Sequence, residues 1–92
     1  MSKRRVLDDA PLALIVAPSE GRLRVLPPRR FRDGHEWVRE GEPVLQIEQG
    51  GEVVVILAPM DGRMGGVLGR DGDPVRPGQP VAWIEADEGS GG

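Results

Sequence analysis

Apolar residues fall in short runs separated by glycine and proline. Six stretches, 12–16, 22–26, 44–47, 52–57, 63–68 and 81–84, are rich in Val, Ile and Leu. None reaches the roughly ten residues expected of a helix, so each is predicted to be a strand and the chain to be all-β. The 14 glycines and 9 prolines mostly mark the predicted turns, where a positive or fixed φ is wanted. Between the third and fourth stretches, Gln49-Gly50-Gly51 predicts a tight antiparallel hairpin, because a two-residue turn needs φ > 0 at residues that tolerate it.

The pattern repeats. APSEGRL (17–23) returns as APMDGRM (58–64), and VREGEPVLQIE (38–48) returns as VRPGQPVAWIE (75–85). RDG stands between these blocks at 32–34 and again at 70–72, so the order of blocks is the same in both halves. This implies an internal duplication. The first copy is longer, mainly in PPRRF (27–31). Neither copy can bury its apolar face alone, and sheet packed against sheet about a pseudo-twofold axis resolves that. Gly21 and Gly62, Gly41 and Gly78, and Ile47 and Ile84 become equivalent positions, with both isoleucines expected to be buried. Residues 12–86 form the expected domain, and 1–11 and 87–92 are expected to be flexible tails, being charged or Gly/Ser-rich without apolar periodicity.

Composition narrows the chemistry. The 92 residues carry a net charge of −3 and suffice for one core. There is no Cys, Tyr, Thr or Asn, one histidine (His35), one lysine (Lys3) and three serines. Nucleophilic and acid–base sets draw on residues that are almost missing here, so no catalytic residue is assigned and the chain is not expected to be an enzyme. His35 has no second His or Cys with which to complete a metal site, and RDGD (70–73) reads as a β-turn rather than a calcium loop; no metal is expected. No apolar run approaches a membrane span, and Lys3-Arg4-Arg5 is followed by Asp8 and Asp9 rather than a secretory apolar region, so no membrane association and a cytoplasmic location are expected.

The blocks of the second half, APMDGRMGGVLGRDGDPVRPGQPVAWIE (58–85), together with the weaker first copy, resemble the biotinyl/lipoyl carrier-domain family over roughly residues 12 to 86. They match its A-P-x-x-G, G-D-x-V and G-Q-x-L/V half-motif. The resemblance implies a flattened β-barrel, a barrel-sandwich hybrid of two quasi-symmetric half-motifs, with a modified lysine at the tip of the joining hairpin. The family's Met-Lys-Met or Asp-Lys-Ala triplet falls on Gly50-Gly51-Glu52, so the attachment lysine maps to Gly51, which has no ε-amine. No cofactor is therefore expected. The expected function is a non-catalytic biotinyl/lipoyl-like binding or assembly module. Two alternatives stay open: a biotin or lipoyl carrier subunit of a carboxylase or acyl-transfer complex, and a barrel-sandwich adaptor fragment of a transport system.

Two surfaces are candidates for partner contact. One is the hairpin tip, Gln49, Gly50 and Gly51. The other is the arginine-rich run RLRVLPPRRFR (22–32), in which Arg29, Arg30, Phe31 and Arg32 could meet an acidic protein partner. Nucleic acid is not expected as a partner, because the chain is acidic and has three aromatic residues.

Overall fold

The computed structural model describes residues 12–86, and the tails expected at 1–11 and 87–92, with Lys3, lie outside the described residues. Nine strands follow in order: β1 (Leu12–Val16), β2 (Gly21–Val25), β3 (Phe31–Arg32), β4 (His35–Val38), β5 (Pro43–Gln49), β6 (Glu52–Leu57), β7 (Gly62–Val67), β8 (Pro74–Val75) and β9 (Pro80–Ala86). The runs read at 12–16 and 52–57 stand as strands with those bounds; the other four shift or lengthen by one to three residues. Among the described residues there is no helix, so none is long and apolar enough to cross a membrane.

The strands form two antiparallel sheets, ordered β1-β9-β7-β4-β3 and β6-β5-β2-β8. The connectivity interleaves the halves. β2 pairs with β5 of its own half and β8 of the other, and β7 pairs with β9 of its own half and β4 of the other. Two edge strands cross over in the same way, β1 onto β9 and β6 onto β5. Each sheet thus needs strands from both halves, and the result is a barrel-sandwich hybrid of two quasi-symmetric half-motifs.

Backbone bonds repeat with the strands. Ala17 N–H donates to Gln79 O and Gly78 N–H to Ala17 O, while Ala58 N–H donates to Glu42 O and Gly41 N–H to Ala58 O. The core repeats as well. Ile15 and Ile56, Ala17 and Ala58, Val38 and Val75, Val44 and Val81, Leu45 and Ala82, and Ile47 and Ile84 are all buried. Leu23 alone has a counterpart that is only partly buried, Met64, which packs against the same cluster. Gly21 and Gly62 let β2 and β7 approach their partners. A Cβ on Gly21 would lie 2.6 Å from Ile47 Cγ2, and one on Gly62 would lie 2.8 Å from Ile84 Cγ2. Equivalent glycines therefore face equivalent isoleucines across equivalent strand pairs.

One element breaks the symmetry. The longer first copy builds β3 and a second hairpin, pairing Phe31 with Glu36 and Arg32 with His35. Asp33 (φ 54°) and Gly34 (φ 81°) make its two-residue turn, with positive φ at both centres as a type I′ turn requires. Asp tolerates this conformation better than most residues with a Cβ.

Candidate functional site

The hairpin joining the two halves runs β5 to β6 with Gln49 opposite Glu52, which leaves Gly50 and Gly51 as the two turn residues. Their φ values of 53° and 87° again define a type I′ turn. Gln49, Gly50, Gly51 and Glu52 are exposed, and a Cβ at either glycine would meet nothing within 4 Å. The tip is thus a bare turn projecting from the body. It offers backbone, one amide and one carboxylate, and no amine that could be acylated.

The arginine-rich run divides rather than forming one patch. Arg30 is gripped by Glu42: Nη1 donates to Oε1 at 2.9 Å and Nη2 to Oε2 at 2.8 Å. Glu42 also caps its own turn, since Arg39 N–H donates to Oε1 at 2.9 Å. Together these contacts hold the Glu42 carboxyl down to about 2, Arg30 contributing more than the Arg39 N–H. Arg32 lies over the Trp37 ring, with Cζ 4.7 Å from the ring centroid, and its carbonyl accepts from Trp37 Nε1–H at 3.1 Å. Phe31 is 66% exposed. Strand alternation turns it with Glu36 to the face opposite Arg30 and Arg32. Arg29 stands apart, in a shallow apolar concavity with Leu26, Pro27, Pro28 and Pro43.

A groove of about 350 Å³ opens beside Arg30 and Arg32, lined also by Trp37, Val38, Arg39, Asp61 and Gly62. Arg39 did not stand out in the sequence run. Its alignment with Arg76 in the repeat was the signal, because both lie one residue after the equivalent buried valines Val38 and Val75. A second groove of about 410 Å³ is lined by Glu20, Gly21, Gln49, Pro74, Val75, Arg76 and Gln79. His35 meets Arg63 at 3.4 Å, and Arg63 is ion-paired with Glu85. RDGD (70–73) is a capped turn: Asp73 Oδ2 accepts from Arg70 N–H at 2.9 Å, and Asp71 Oδ1 accepts from Val25 N–H at 2.9 Å. Among the described residues no three His, Cys, Asp or Glu side chains come together as metal ligands would.

No protein-family model matches the chain, and no curated protein matches it in sequence. Its structure is similar to part of the crystal structure of the Kluyveromyces lactis urea carboxylase, with 26% identity and a TM-score of 0.66 over 80% of this chain and 6% of that one. It is also similar to part of a single-chain, multi-domain long-chain acyl-CoA carboxylase, with 20% identity and a TM-score of 0.69 over 86% of this chain and 8% of that one. The second likeness is one of fold. The chain spans less than a tenth of the length of either carboxylase.

Proposed function

We propose that the chain is a carrier-like module, derived by internal duplication, that holds no covalent cofactor and acts in the cytoplasm as a non-catalytic binding or assembly element. One observation carries this reading. The tip at which a biotinyl or lipoyl carrier would present its lysine is here a two-glycine turn, and the chain's only lysine is Lys3. Biotin and lipoate are joined to a carrier through an amide on a lysine ε-amine, and neither Gly50 nor Gly51 has a nitrogen for it beyond the peptide bond. The fold explains why the hairpin would remain without that chemistry: it connects β5 to β6 and so links the two interleaved halves.

The likeness to part of two carboxylases favours a second reading, that of a biotin carrier serving such an enzyme. Co-expression with a biotin ligase or a lipoate ligase, followed by intact-mass measurement, separates the two. The module reading expects the unmodified mass with either ligase. A biotinyl or lipoyl increment on the wild-type chain would establish the carrier reading in its place.

A further inference from the structure

The two grooves are one feature of the fold met twice. Glu20, Gly21, Pro74, Val75 and Arg76 line one, and Asp61, Gly62, Trp37, Val38 and Arg39 line the other at equivalent positions of the repeat. The first carries one acid and one base. The second keeps that pair as Asp61 and Arg39, adds Arg30 from the insert and Arg32 from the hairpin that follows it, and has an indole where the first has a proline. The fold alone thus does not demand the extra charge, since the equivalent groove does without it.

Of the three arginines, Arg30 is committed to Glu42. Asp61 is partly occupied as well, since its Oδ1 accepts from Glu40 N–H at 2.8 Å. The Arg32 and Arg39 guanidinium groups form no ion pair with a carboxylate among the described residues. Arg32 is held at both ends by Trp37, its guanidinium over the ring and its carbonyl on the indole N–H. A guanidinium stacked in this way keeps its N–H edge available and loses less freedom when it takes a ligand.

We propose that this second groove docks an acidic peptide segment of a partner protein, with a carboxylate received by Arg32 and Arg39 and an apolar neighbour laid against Trp37. A guanidinium fork matches a carboxylate in plane and spacing. Two such groups in a chain of net charge −3 are too few for nucleic acid, whose binding rests on neutralising many phosphates. The proposal deepens the binding-module reading and rests on it.

The test uses the two tryptophans as separate reporters, since each gives its own indole N–H signal in a ¹H–¹⁵N spectrum of the labelled chain, assigned with Trp83→Phe. The probe is a capped Glu-Glu-Leu-Glu-Glu peptide, with inorganic phosphate as the simple anion. The Trp37 signal should shift saturably with peptide while the Trp83 signal stays. Arg39→Glu should weaken binding by about tenfold or more, as should raising salt from about 50 to about 500 mM. Arg76→Glu, the equivalent change in the other groove, should leave the titration unaltered. Arg32→Gln, which keeps a side chain over the indole without its charge, should weaken binding in the same direction and serves if Arg39→Glu disturbs the rest of the spectrum. The proposal is overturned by the absence of a saturable Trp37 shift up to about 5 mM peptide, far weaker than a specific contact. It is equally overturned if Arg76→Glu matches Arg39→Glu, or if phosphate moves Trp37 as effectively as peptide. Failure here would leave an unmodified intact mass standing, whereas a mass increment on the wild-type chain would remove the module reading and leave the groove's titration unchanged.

Discussion

Arg30 and Glu42 form a two-point ion pair that ties the insert to a turn of the conserved-length part of the repeat. The second half shows what the pair adds. At the position equivalent to Glu42 stands Gln79, whose Oε1 caps Arg76 N–H at 3.0 Å as Glu42 caps Arg39 N–H. An amide serves as a cap, but only a carboxylate can also accept a guanidinium with charge assistance. Glutamate replaces glutamine in the half that carries the insert, so Arg30 acts as an anchor for the β3–β4 hairpin and not as a free docking group.

Glu42→Gln should therefore keep the turn and lose the anchor, with a pH signature. An unperturbed glutamate titrates near about 4.3, and the folded protein holds Glu42 down to about 2. A carboxyl whose folded pKa lies below its unfolded value stabilises the fold fully above the unfolded pKa, and the benefit is lost as pH falls through the folded one. Wild type should be the more stable protein at neutral pH, with the gap to Glu42→Gln narrowing below about pH 4.3 and closing near about pH 2. Urea melts across that range measure it; a gap of constant size would mean that the ion pair does not stabilise the fold.

The glycines should separate into two kinds. A Cβ on Gly62 would sit 2.8 Å from Ile84 Cγ2 and 3.1 Å from the Glu85 carbonyl carbon, so Gly62→Ala should cost at least about 2 kcal/mol by overpacking. Gly78 has open space around it and a φ of 84°. Gly78→Asn should thus be nearly neutral, since Asn tolerates the left-handed region, while Gly62→Asn should be worse than Gly62→Ala. Ile47→Ala and Ile84→Ala, both at fully buried positions, should each cost roughly 2–5 kcal/mol. Denaturant midpoints rank these variants, and a large difference between the two isoleucines would contradict their structural equivalence.

Trp83 makes the outer face of its sheet testable. Its indole lies across Gly65 and Gly66, where a Cβ on Gly66 would come within 2.6 Å of Cη2, and its Nε1–H donates to Glu85 Oε2 at 3.2 Å. Two glycines in a strand leave room for a ring that would otherwise stand in solvent. Gly66→Ala in a Trp37→Phe background should displace the ring, shift its fluorescence to the red and cost roughly 1–3 kcal/mol. Unchanged emission would show that the ring does not depend on that bare surface.

What the sequence disclosed followed from its repetition. Aligned blocks pair Ile47 with Ile84 and Gly21 with Gly62, and these pairs meet the same surroundings in the structure. The crossing of strands between halves was not legible, because equivalent strands have equivalent patterns and nothing in β1 says that its partner is β9 instead of β5. The outward rows were hidden for a related reason. Leu12, Leu14 and Val16 on β1, and Val53, Val55 and Leu57 on β6, are all more than 40% exposed, yet their strands are apolar on both faces and show no alternation. The β3–β4 hairpin was missed because Phe31–Arg32 and His35–Val38 are short and only half apolar. Within the arginine run, Arg29, Arg30, Phe31 and Arg32 looked alike in sequence, and only the pleat and the position of Glu42 give them different roles.

The bare hairpin tip has room for the side chains that a carrier presents there. Gly50→Met, Gly51→Lys and Glu52→Met together write a carrier triplet onto the turn. No atom lies within 4 Å of a Cβ at either glycine, so the cost is conformational, at roughly 1–2 kcal/mol for each residue forced to positive φ. The φ of 53° at Gly50 falls in the left-handed well that L-residues can enter, while the 87° at Gly51 lies further from it, so the lysine should bear more of the strain. The graft should remain folded, as a circular dichroism melt can show, and a biotin ligase should then add biotin to part of the population, visible by intact mass. A folded graft that stays unmodified would mean that the carrier register does not place its lysine at residue 51, or that the body lacks the surface that a ligase reads.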